Sequence, residues 1–356
     1  MGYPRSKYVR EGEEGVFHCF SRCVRRAFLC GYDAVSGRDF SHRKQVLVER
    51  LQYLATVFAI EVCAYAIMEN HYHAILRIRP DIAALWSERE VAIRWLMLCP
   101  RYFGRRDPGT PPAEKDIAAL TLCPELIEKL RKRLCSLSWF MGRLNEYVAR
   151  MANKEDQVTG RFWEGRFECR ELLDEAATVA CMVYVDLNSI RAGVADTPEE
   201  SDYTSIQERI QLWQKERMTT NSVPDVLPEE DNVTRSVEEY EAPTTSSNPW
   251  LVPISPDPKV EGILQMTPTE YFDLVDRSGR LVRSDKPGVI SADLTSLLLR
   301  IGVTPDAWGD TISAFRSRYS LAAGLFSNMR SFADRIGRSW IKGLRAARTA
   351  FASSSP

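Results

Sequence analysis

Two of the four histidines of this chain lie two residues apart, in the segment 68–78 with the sequence MENHYHAILRI. Residues two apart on a β-strand project from the same face, so His71 and His73 are expected side by side, with Tyr72 on the opposite face. Neighbouring imidazoles form half of a metal site, whereas two protonated imidazoles would repel each other. The pair also fits two partly exposed strand histidines that bind nothing, and this segment alone does not separate the two interpretations.

A tyrosine and an asparagine lie four residues apart in a second segment, EAATVACMVYVDLNSIRAG. On an α-helix, residues four apart share a face, about 40° apart around the axis and about 6 Å along it. The phenol of Tyr184 and the amide oxygen of Asn188 are therefore expected to face one metal ion or phosphate together. The other side chains on this face, those of Ala177, Ala180 and Cys181, are small, which allows the helix to approach a sheet or a ligand closely. Taken alone, Tyr184 also fits a half-buried core tyrosine.

The histidine strand belongs to a predicted β-α-β-β order at the start of the chain. The segment 15–26, GVFHCFSRCVRR, alternates as a strand does, and Ser41 is a plausible N-cap for a helix through about residue 58. Two β-rich runs follow, EVCAYAIM and HYHAILRI, joined at Glu69 and Asn70 as in a hairpin. This order predicts an α+β fold whose helix packs on one face of an antiparallel sheet.

Three further segments lie between the histidine strand and the end of the tyrosine helix. Residues from about 80 to 124 mix tryptophans with charges and a GRRDPGTPP turn cluster, which indicates an insertion. An apolar stripe from Leu130 to Val148 predicts an amphipathic helix over about 124–153. The aromatic and basic stretch GRFWEGRFECR follows, and the tyrosine helix is expected to begin near Asp174 and to end at Gly193.

Three of these segments resemble, in the same order, the motifs of the HUH single-tyrosine transposases. MENHYHAILRI is similar to the M-P-N-H-U-H strand of that family, where U is hydrophobic, GRFWEGRF to its R-F-W-E stretch, and YVDLNSIRAG to its Y-I-x-x-N-P-V-R-A-G helix end. The resemblance covers roughly residues 1–210 and is nearest to the REP-associated tyrosine transposases. One departure is Ser189, which follows Asn188 where the family has proline.

The resemblance implies a ferredoxin-like antiparallel sheet with helices on one face and a DNA strand-transfer activity. By that match His71 and His73 are metal ligands, Asn188 is the third ligand, and Tyr184 is the nucleophile, which leaves a 5′-phosphotyrosine link and a free 3′-OH. Two imidazoles and one amide oxygen suit Mn²⁺ better than Mg²⁺, which prefers all-oxygen sites, and either ion is expected. No nucleotide cofactor is needed because the covalent link retains the phosphodiester energy. The expected substrate is single-stranded or hairpin DNA, bound by a monomer or a homodimer.

Two other functions fit the same residues. One is a catalytically silent DNA-binding regulator derived from a transposase, for which Tyr184 has no chemical role. The other is a metal-dependent hydrolase in which water is the nucleophile, so that no protein–DNA adduct forms.

Two basic regions are candidate DNA surfaces. The first interleaves cations with a ring, a composition typical of backbone contact and base stacking, in Arg161, Trp163, Arg166 and Arg170. The second is the C-terminal segment, in which the residues from 312 onward include many bases and a single acid. Its candidate DNA-binding residues are Arg335, Arg338, Lys342 and Arg345. Core packing also accounts for Phe162, Trp163 and Phe167, and a solvated helical face also accounts for the second region.

Charge and composition divide the 356 residues into three parts, although the net charge is only −1. We predict a nuclease domain over 1–213, a linker rich in Pro, Ser, Thr and acids over 214–250, and a helical basic region over 251–356. The nine cysteines form no CxxC pair, which favours reduced thiols over a zinc site. Because neither an apolar leader nor a membrane-length run is present, a cytoplasmic protein is expected.

Overall fold

A computed structural model describes residues 4–10, 12–24, 30–33, 37–100, 111–220, 250–282 and 292–351. Its strands are β1 (Gly15–Arg22), β2 (Tyr32–Asp33), β3 (Arg38–Asp39), β4 (Ile60–Ile67), β5 (His71–Ile78), β6 (Glu168–Leu172) and β7 (Ala322–Ala323). Its α-helices are α1 (His42–Val57), α2 (Pro80–Leu85), α3 (Glu88–Leu98), α4 (Glu114–Thr121), α5 (Pro124–Leu134), α6 (Leu137–Glu155), α7 (Glu175–Asp186), α8 (Asn188–Arg191), α9 (Ser205–Thr220), α10 (Pro268–Val282), α11 (Ala292–Arg300), α12 (Pro305–Arg318), α13 (Phe326–Arg335) and α14 (Leu344–Ala350). The chain is therefore an α+β protein.

The central sheet has five strands in the order β4-β5-β1-β6-β7. The predicted hairpin is confirmed, since β4 and β5 pair antiparallel around Glu69 and Asn70. β1 then pairs antiparallel with both β5 and β6, and Phe20 lies directly opposite His73. The prediction of a purely antiparallel sheet is wrong at one edge, because β7 pairs parallel with β6. Two alanines are too short a run to show the alternation by which a strand is recognised.

Helices cover both faces of the sheet, which corrects the prediction of helices on one face. Adjacent residues of β5 project from opposite faces: Tyr72 Oη donates to Asn145 Oδ1 on α6 at 2.7 Å, whereas the His73 ring lies 5.7 Å from that of Tyr184 on α7. α1 packs with α6 on the Tyr72 face. The strand itself explains the double cover, because seven consecutive residues of β5 are buried, where a half-solvated strand would alternate.

Three predicted segments differ in their boundaries. The amphipathic helix over 124–153 is two helices, α5 and α6, separated at Cys135 and Ser136. The predicted insertion at 80–124 contains α2, α3 and α4, and residues 101–110 lie outside the described residues. Of the predicted linker, 214–220 belongs to α9, while 221–249, with the acidic block, lie outside the described residues.

The C-terminal region packs directly onto the rest of the chain. It contributes β7 to the sheet, and α12 packs against α7 on the His73 face. Three large side chains of α12, Trp308, Ile312 and Phe315, are completely buried. The predicted short helices are present as α10 to α14. None of the nine cysteines forms a disulfide, and seven of them are buried. No helix in the described part of the chain is long and apolar enough to cross a membrane.

Candidate functional site

The two histidines of β5 lie side by side, with ring centroids 5.0 Å apart and planes nearly perpendicular. His71 is partly exposed, and its Nδ1 lies 2.5 Å from Asn70 Oδ1. Because a carboxamide oxygen only accepts, this contact places the proton on Nδ1 and leaves Nε2 of His71 with a free lone pair. His73 is completely buried, and its Nε2 has no hydrogen-bond partner among the described residues.

A third histidine, His18, completes this group, although no spacing in the sequence selects it. It is completely buried on β1, and its Nε2 lies 2.9 Å from Nδ1 of His73. If His73 Nδ1 donates in this contact, both β5 imidazoles present Nε2 lone pairs in the same way. The strand pairing is the signal that could have found it, because three of the four histidines lie on the β1–β5 pair and His18 is opposite Ile75, two residues from His73.

Tyr184 on α7 and Asn188 on α8 lie beside the histidines. The Tyr184 ring lies 5.7 Å from that of His73 and 5.9 Å from that of His18. α7 ends at Asp186, and Asn188 begins the short α8, from which its Nδ2 donates to the carbonyls of Tyr184 and Val185 at 3.0 and 3.1 Å. His71, Tyr184 and Asn188 line one cleft of about 550 Å³, which we call the tyrosine cleft.

The opposite wall of the tyrosine cleft comes from α12 of the C-terminal region, with Ser313, Ala314, Arg316 and Ser317. The Phe315 ring lies 5.8 Å from the Tyr184 ring. The guanidinium of Arg191, on α8, lies 4.5 Å from the centroid of the Tyr184 ring. Tyr184 is consequently only 4% exposed. Phe315 carries no signal in the sequence, and Arg316 is predicted there only as part of the basic C-terminal segment, because α12 follows Tyr184 by more than a hundred residues and only folding brings the two together. Arg191 is present in the YVDLNSIRAG motif, but the sequence predicts no role for it.

Burial favours the neutral form of the histidines at and beside the cleft. Burial, and next the charges of Arg316, Arg22 and Arg191, lower the pKa of His71 to about 4. Burial also lowers the pKa of His73 well below its usual value, and neighbouring His18, His71 and Arg316 act in the same direction. Neutral imidazole is the form that binds a metal ion.

The residues present fit a divalent metal ion bound by neutral ligands. The unpartnered, buried Nε2 of His73 is a donor atom without a protein partner, and His71 beside it has its Nδ1 proton held by Asn70. Asn188 would supply an amide oxygen as the third ligand. The tyrosine cleft is lined by no carboxylate, and in the described part of the chain no three His, Cys, Asp or Glu side chains gather as a metal site.

The residues predicted to contact DNA separate into several places. Arg166, Arg170, Arg338 and Lys342 line one cavity together. Arg335 lines a different cavity and pairs with Glu171 at 2.5 Å, while Arg161 on its loop and Arg345 on α14 are exposed. Trp163 is 8% exposed, donates its Nε1 to the Asn145 carbonyl, and packs on Tyr72. That position, on the sheet face opposite the histidines, gives no support to its predicted stacking on DNA bases.

Comparisons with known proteins give one match. No family model matches the chain, and no curated protein matches it. One solved structure, of a REP-associated tyrosine transposase bound to a REP hairpin, is similar with 10% identity and a TM-score of 0.31, covering 68% of this chain and all of that one. A TM-score of this size does not establish a common fold, so the case for a function depends on the tyrosine cleft itself.

Proposed function

We propose that the protein is a metal-dependent single-stranded DNA transesterase of the transposase type, which cleaves and rejoins hairpin-containing DNA through a 5′-phosphotyrosine intermediate. One observation carries this proposal: Tyr184, Asn188 and His71 line the same cleft, with two arginines, Arg191 and Arg316, on its walls. A nucleophile, donor atoms for a cation and positive charges thus surround one space.

In the proposed reaction, Oη of Tyr184 attacks the phosphorus of a DNA phosphodiester in line with the 3′-oxygen. A P–O bond to tyrosine forms, the P–O3′ bond breaks, and the 3′-oxygen leaves with the proton that the phenol gives up. The number of phosphodiester links is unchanged, so a different 3′-OH can reverse the step and join strands without an external energy source.

The chain's own groups would bind and orient the reacting strand. Arg191 and Arg316 supply charge for the phosphate oxygens, and Phe315 and His18 exclude water from the phenol side of the cleft. His71, His73 and Asn188 would hold Mg²⁺ or Mn²⁺, which when bound polarises the phosphate and stabilises charge on its oxygens.

One observation favours a second candidate, a DNA-binding regulator without catalysis. Phe315 and Arg191 cover the Tyr184 ring, which leaves it buried like a core residue. For such a protein the basic surfaces bind DNA, and Tyr184 serves only packing.

Incubation with hairpin oligonucleotides that carry single-stranded flanks separates these functions. With Mn²⁺ or Mg²⁺ and denaturing electrophoresis, we expect a shifted, protease-sensitive DNA band from the wild type. Tyr184→Phe should lower adduct formation by at least about a thousandfold, the scale for loss of a nucleophile. Tyr147→Phe, on α6 and on the other side of the sheet, is the matched control and should leave the band unchanged.

Each rival function gives a distinct result in the same assay. Cleavage that persists in Tyr184→Phe without a covalent adduct identifies a hydrolase with water as the nucleophile. Tight hairpin binding with no cleavage by the wild type, and equal binding by Tyr184→Phe, identifies the regulator. Either result contradicts the transesterase.

A further inference from the structure

A second cavity, of about 690 Å³, lies beside the tyrosine cleft and is strongly cationic. Six cationic side chains line it against one carboxylate, that of Glu168, and we call it the basic groove: Arg5, Arg166, Arg170, Arg316, Arg338 and Lys342. These residues come from the N-terminal segment, the loop before β6, β6 itself, α12 and the segment between α13 and α14. Gathering like charges from distant segments costs free energy unless an anion offsets it.

One of these cations, Arg170, forms no ion pair with the described residues, although Glu168 lies in the same cavity. Arg170 is 3% exposed, and its Nε has no hydrogen-bond partner among the described residues. Its Nη1 donates to the Phe315 carbonyl over a long 3.4 Å, and its guanidinium carbon lies 5.3 Å from the centroid of the Phe20 ring. A buried guanidinium without a carboxylate is unfavourable by itself, and a bound anion would supply the missing partner.

Arg316 connects the basic groove to the tyrosine cleft, because it lines both cavities. Its guanidinium lies over the Phe20 ring at 4.3 Å, and its nearest carboxylate, Glu168, is 3.9 Å away. A single extended anion could therefore contact the groove, pass Arg316 and reach the cleft.

The aromatic residues of the groove indicate which part of a nucleic acid it would contact. Tyr8, Phe167 and Tyr319 are buried beneath the cations, and Arg5 stacks directly over Phe167 with its guanidinium carbon 3.8 Å from the ring centroid. With their faces covered, these rings are unavailable for base stacking, which is the usual source of sequence-tolerant base contacts. The cations remain, and they suit phosphates.

We propose that the basic groove binds the phosphodiester backbone of a DNA strand that continues into the tyrosine cleft, with Arg316 at the junction. This assignment rests on the proposed function for the identity of the strand. It gives the C-terminal region a role in holding substrate, because Arg316, Arg338 and Lys342 all belong to it. Contacts to the backbone alone make the binding independent of base sequence and sensitive to salt.

The test measures binding without cleavage, in the full chain carrying Tyr184→Phe and in the presence of EDTA. Fluorescence anisotropy with a labelled oligothymidylate gives the affinity at several salt concentrations. We expect Arg338→Gln/Lys342→Gln to bind about tenfold more weakly at moderate salt and to lower the slope of log affinity against log salt by about 1.4, since each phosphate contact to a single strand contributes about 0.7.

The matched control is Lys129→Gln/Lys132→Gln, which removes two exposed charges from α5, outside the basic groove. It should keep the wild-type affinity and slope. Arg338 and Lys342 are exposed, and equal thermal melting of the two double variants would show that the fold is intact.

The outcomes separate this proposal from the proposed function. Unchanged affinity in the groove variant, or an equal loss in the α5 control, overturns the basic groove even if the wild type forms the tyrosine adduct. Selective loss of binding supports the groove even if no adduct ever forms, and in that case only the transesterase is wrong.

Discussion

At the scale of single residues, the site depends on a histidine that no spacing rule selects. His71 and His73 are visible as a pair because their separation matches the strand repeat. His18 is brought beneath His73 by the pairing of β1 with β5, and its Nε2 contacts Nδ1 of His73 at 2.9 Å. A metal-binding imidazole is usually oriented by a hydrogen bond to its other nitrogen, and His18 is placed to provide it.

We predict that His18→Asn weakens metal binding without removing a ligand. The effect expected of an orienting partner is a roughly 10- to 100-fold loss of affinity for Mn²⁺, measured by electron paramagnetic resonance of the free ion. His42→Asn is the control, because His42 is the remaining histidine, exposed on α1 and paired with Glu155. Equal Mn²⁺ affinities of the two variants would show that His18 does not orient a metal ligand.

Buried neutral imidazoles also make stability depend on pH. Burial lowers the pKa of His18 and His73 well below the usual value and that of His71 to about 4. Below pH 6.5 the histidines bind protons in the unfolded chain but not in the folded chain. The free energy of unfolding is therefore at its full value with respect to these histidines above pH 6.5, and it decreases as the pH falls. His71 alone accounts for up to about 3 kcal/mol by this argument.

The measurement is urea unfolding in EDTA between pH 7.5 and pH 4.5. Burial raises the pKa of the Asp186 carboxyl to about 6, which acts in the opposite direction over part of that range. The informative quantity is therefore the difference between the wild type and His18→Asn, whose free energy of unfolding should fall less steeply as the pH drops. If the free energies of unfolding of the wild type and His18→Asn fell in parallel with pH, His18 would be hydrated in the folded protein.

At the scale of elements, the tyrosine helix α7 is held at both ends by the C-terminal region. At its start, Oδ1 of Asp174 caps the Ala177 amide at 2.9 Å, and Oδ2 accepts from the Leu325 amide at 2.6 Å and from Asn328. At its end, buried Asp186 accepts from Ser205 of α9 and from Tyr271 of α10, each at 2.5 Å. The position of Tyr184 is thereby set by segments far away in sequence.

Asp174→Ala should therefore affect chemistry as well as stability. Loss of the cap costs about 1 kcal/mol in the free energy of unfolding, and Ser87→Ala, which removes the cap of α3, should cost a similar amount. Only Asp174→Ala should also slow formation of the tyrosine adduct, because α7 loses its contacts with Leu325 and Asn328. Adduct formation at equal rates in both variants would show that these contacts do not position Tyr184.

The elements predicted from sequence are those with local signals. β4 and β5 agree to within a residue of their predicted ends, and Gly193 has the positive φ of 68° expected after a helix. Ser41 does not cap α1 with its side chain, because its hydroxyl donates to Asp39 Oδ1 at 2.6 Å. β7 and the α12 wall depend on long-range packing, for which residue patterns carry no signal.

At the scale of the whole molecule, the first and last parts of the chain share one core and one sheet. β7 and α12 provide some of the contacts between these parts. In addition, Leu251 pairs with Val62 of β4, and Arg209 donates to the carbonyls of Cys63 and Val252 at 2.8 Å. Each fully buried large apolar side chain of α12 contributes about 1.5–3 kcal/mol by leaving water. Removal of the C-terminal region would expose its partners on α7.

We predict that residues 1–220 aggregate when expressed alone and become soluble when residues 250–356 are supplied as a separate chain. The two pieces should co-purify. Gly324→Ala in the second piece should weaken the association, because the added Cβ would lie 2.6 Å from Asp174 Oδ2 and 2.9 Å from Leu173 Cβ. Gly309→Ala is the control, since its Cβ would meet nothing within 4 Å. A soluble, monomeric first piece would contradict this dependence.

The wall that α12 gives to the tyrosine cleft has a consequence for biosynthesis. Arg316 leaves the ribosome more than a hundred residues after Tyr184, a delay on the order of ten seconds at ordinary translation rates. During that interval the histidines and the tyrosine helix exist without the α12 wall of the cleft and without three of the six cations of the basic groove. The site is therefore complete only after α12 and the segments that follow it have been made.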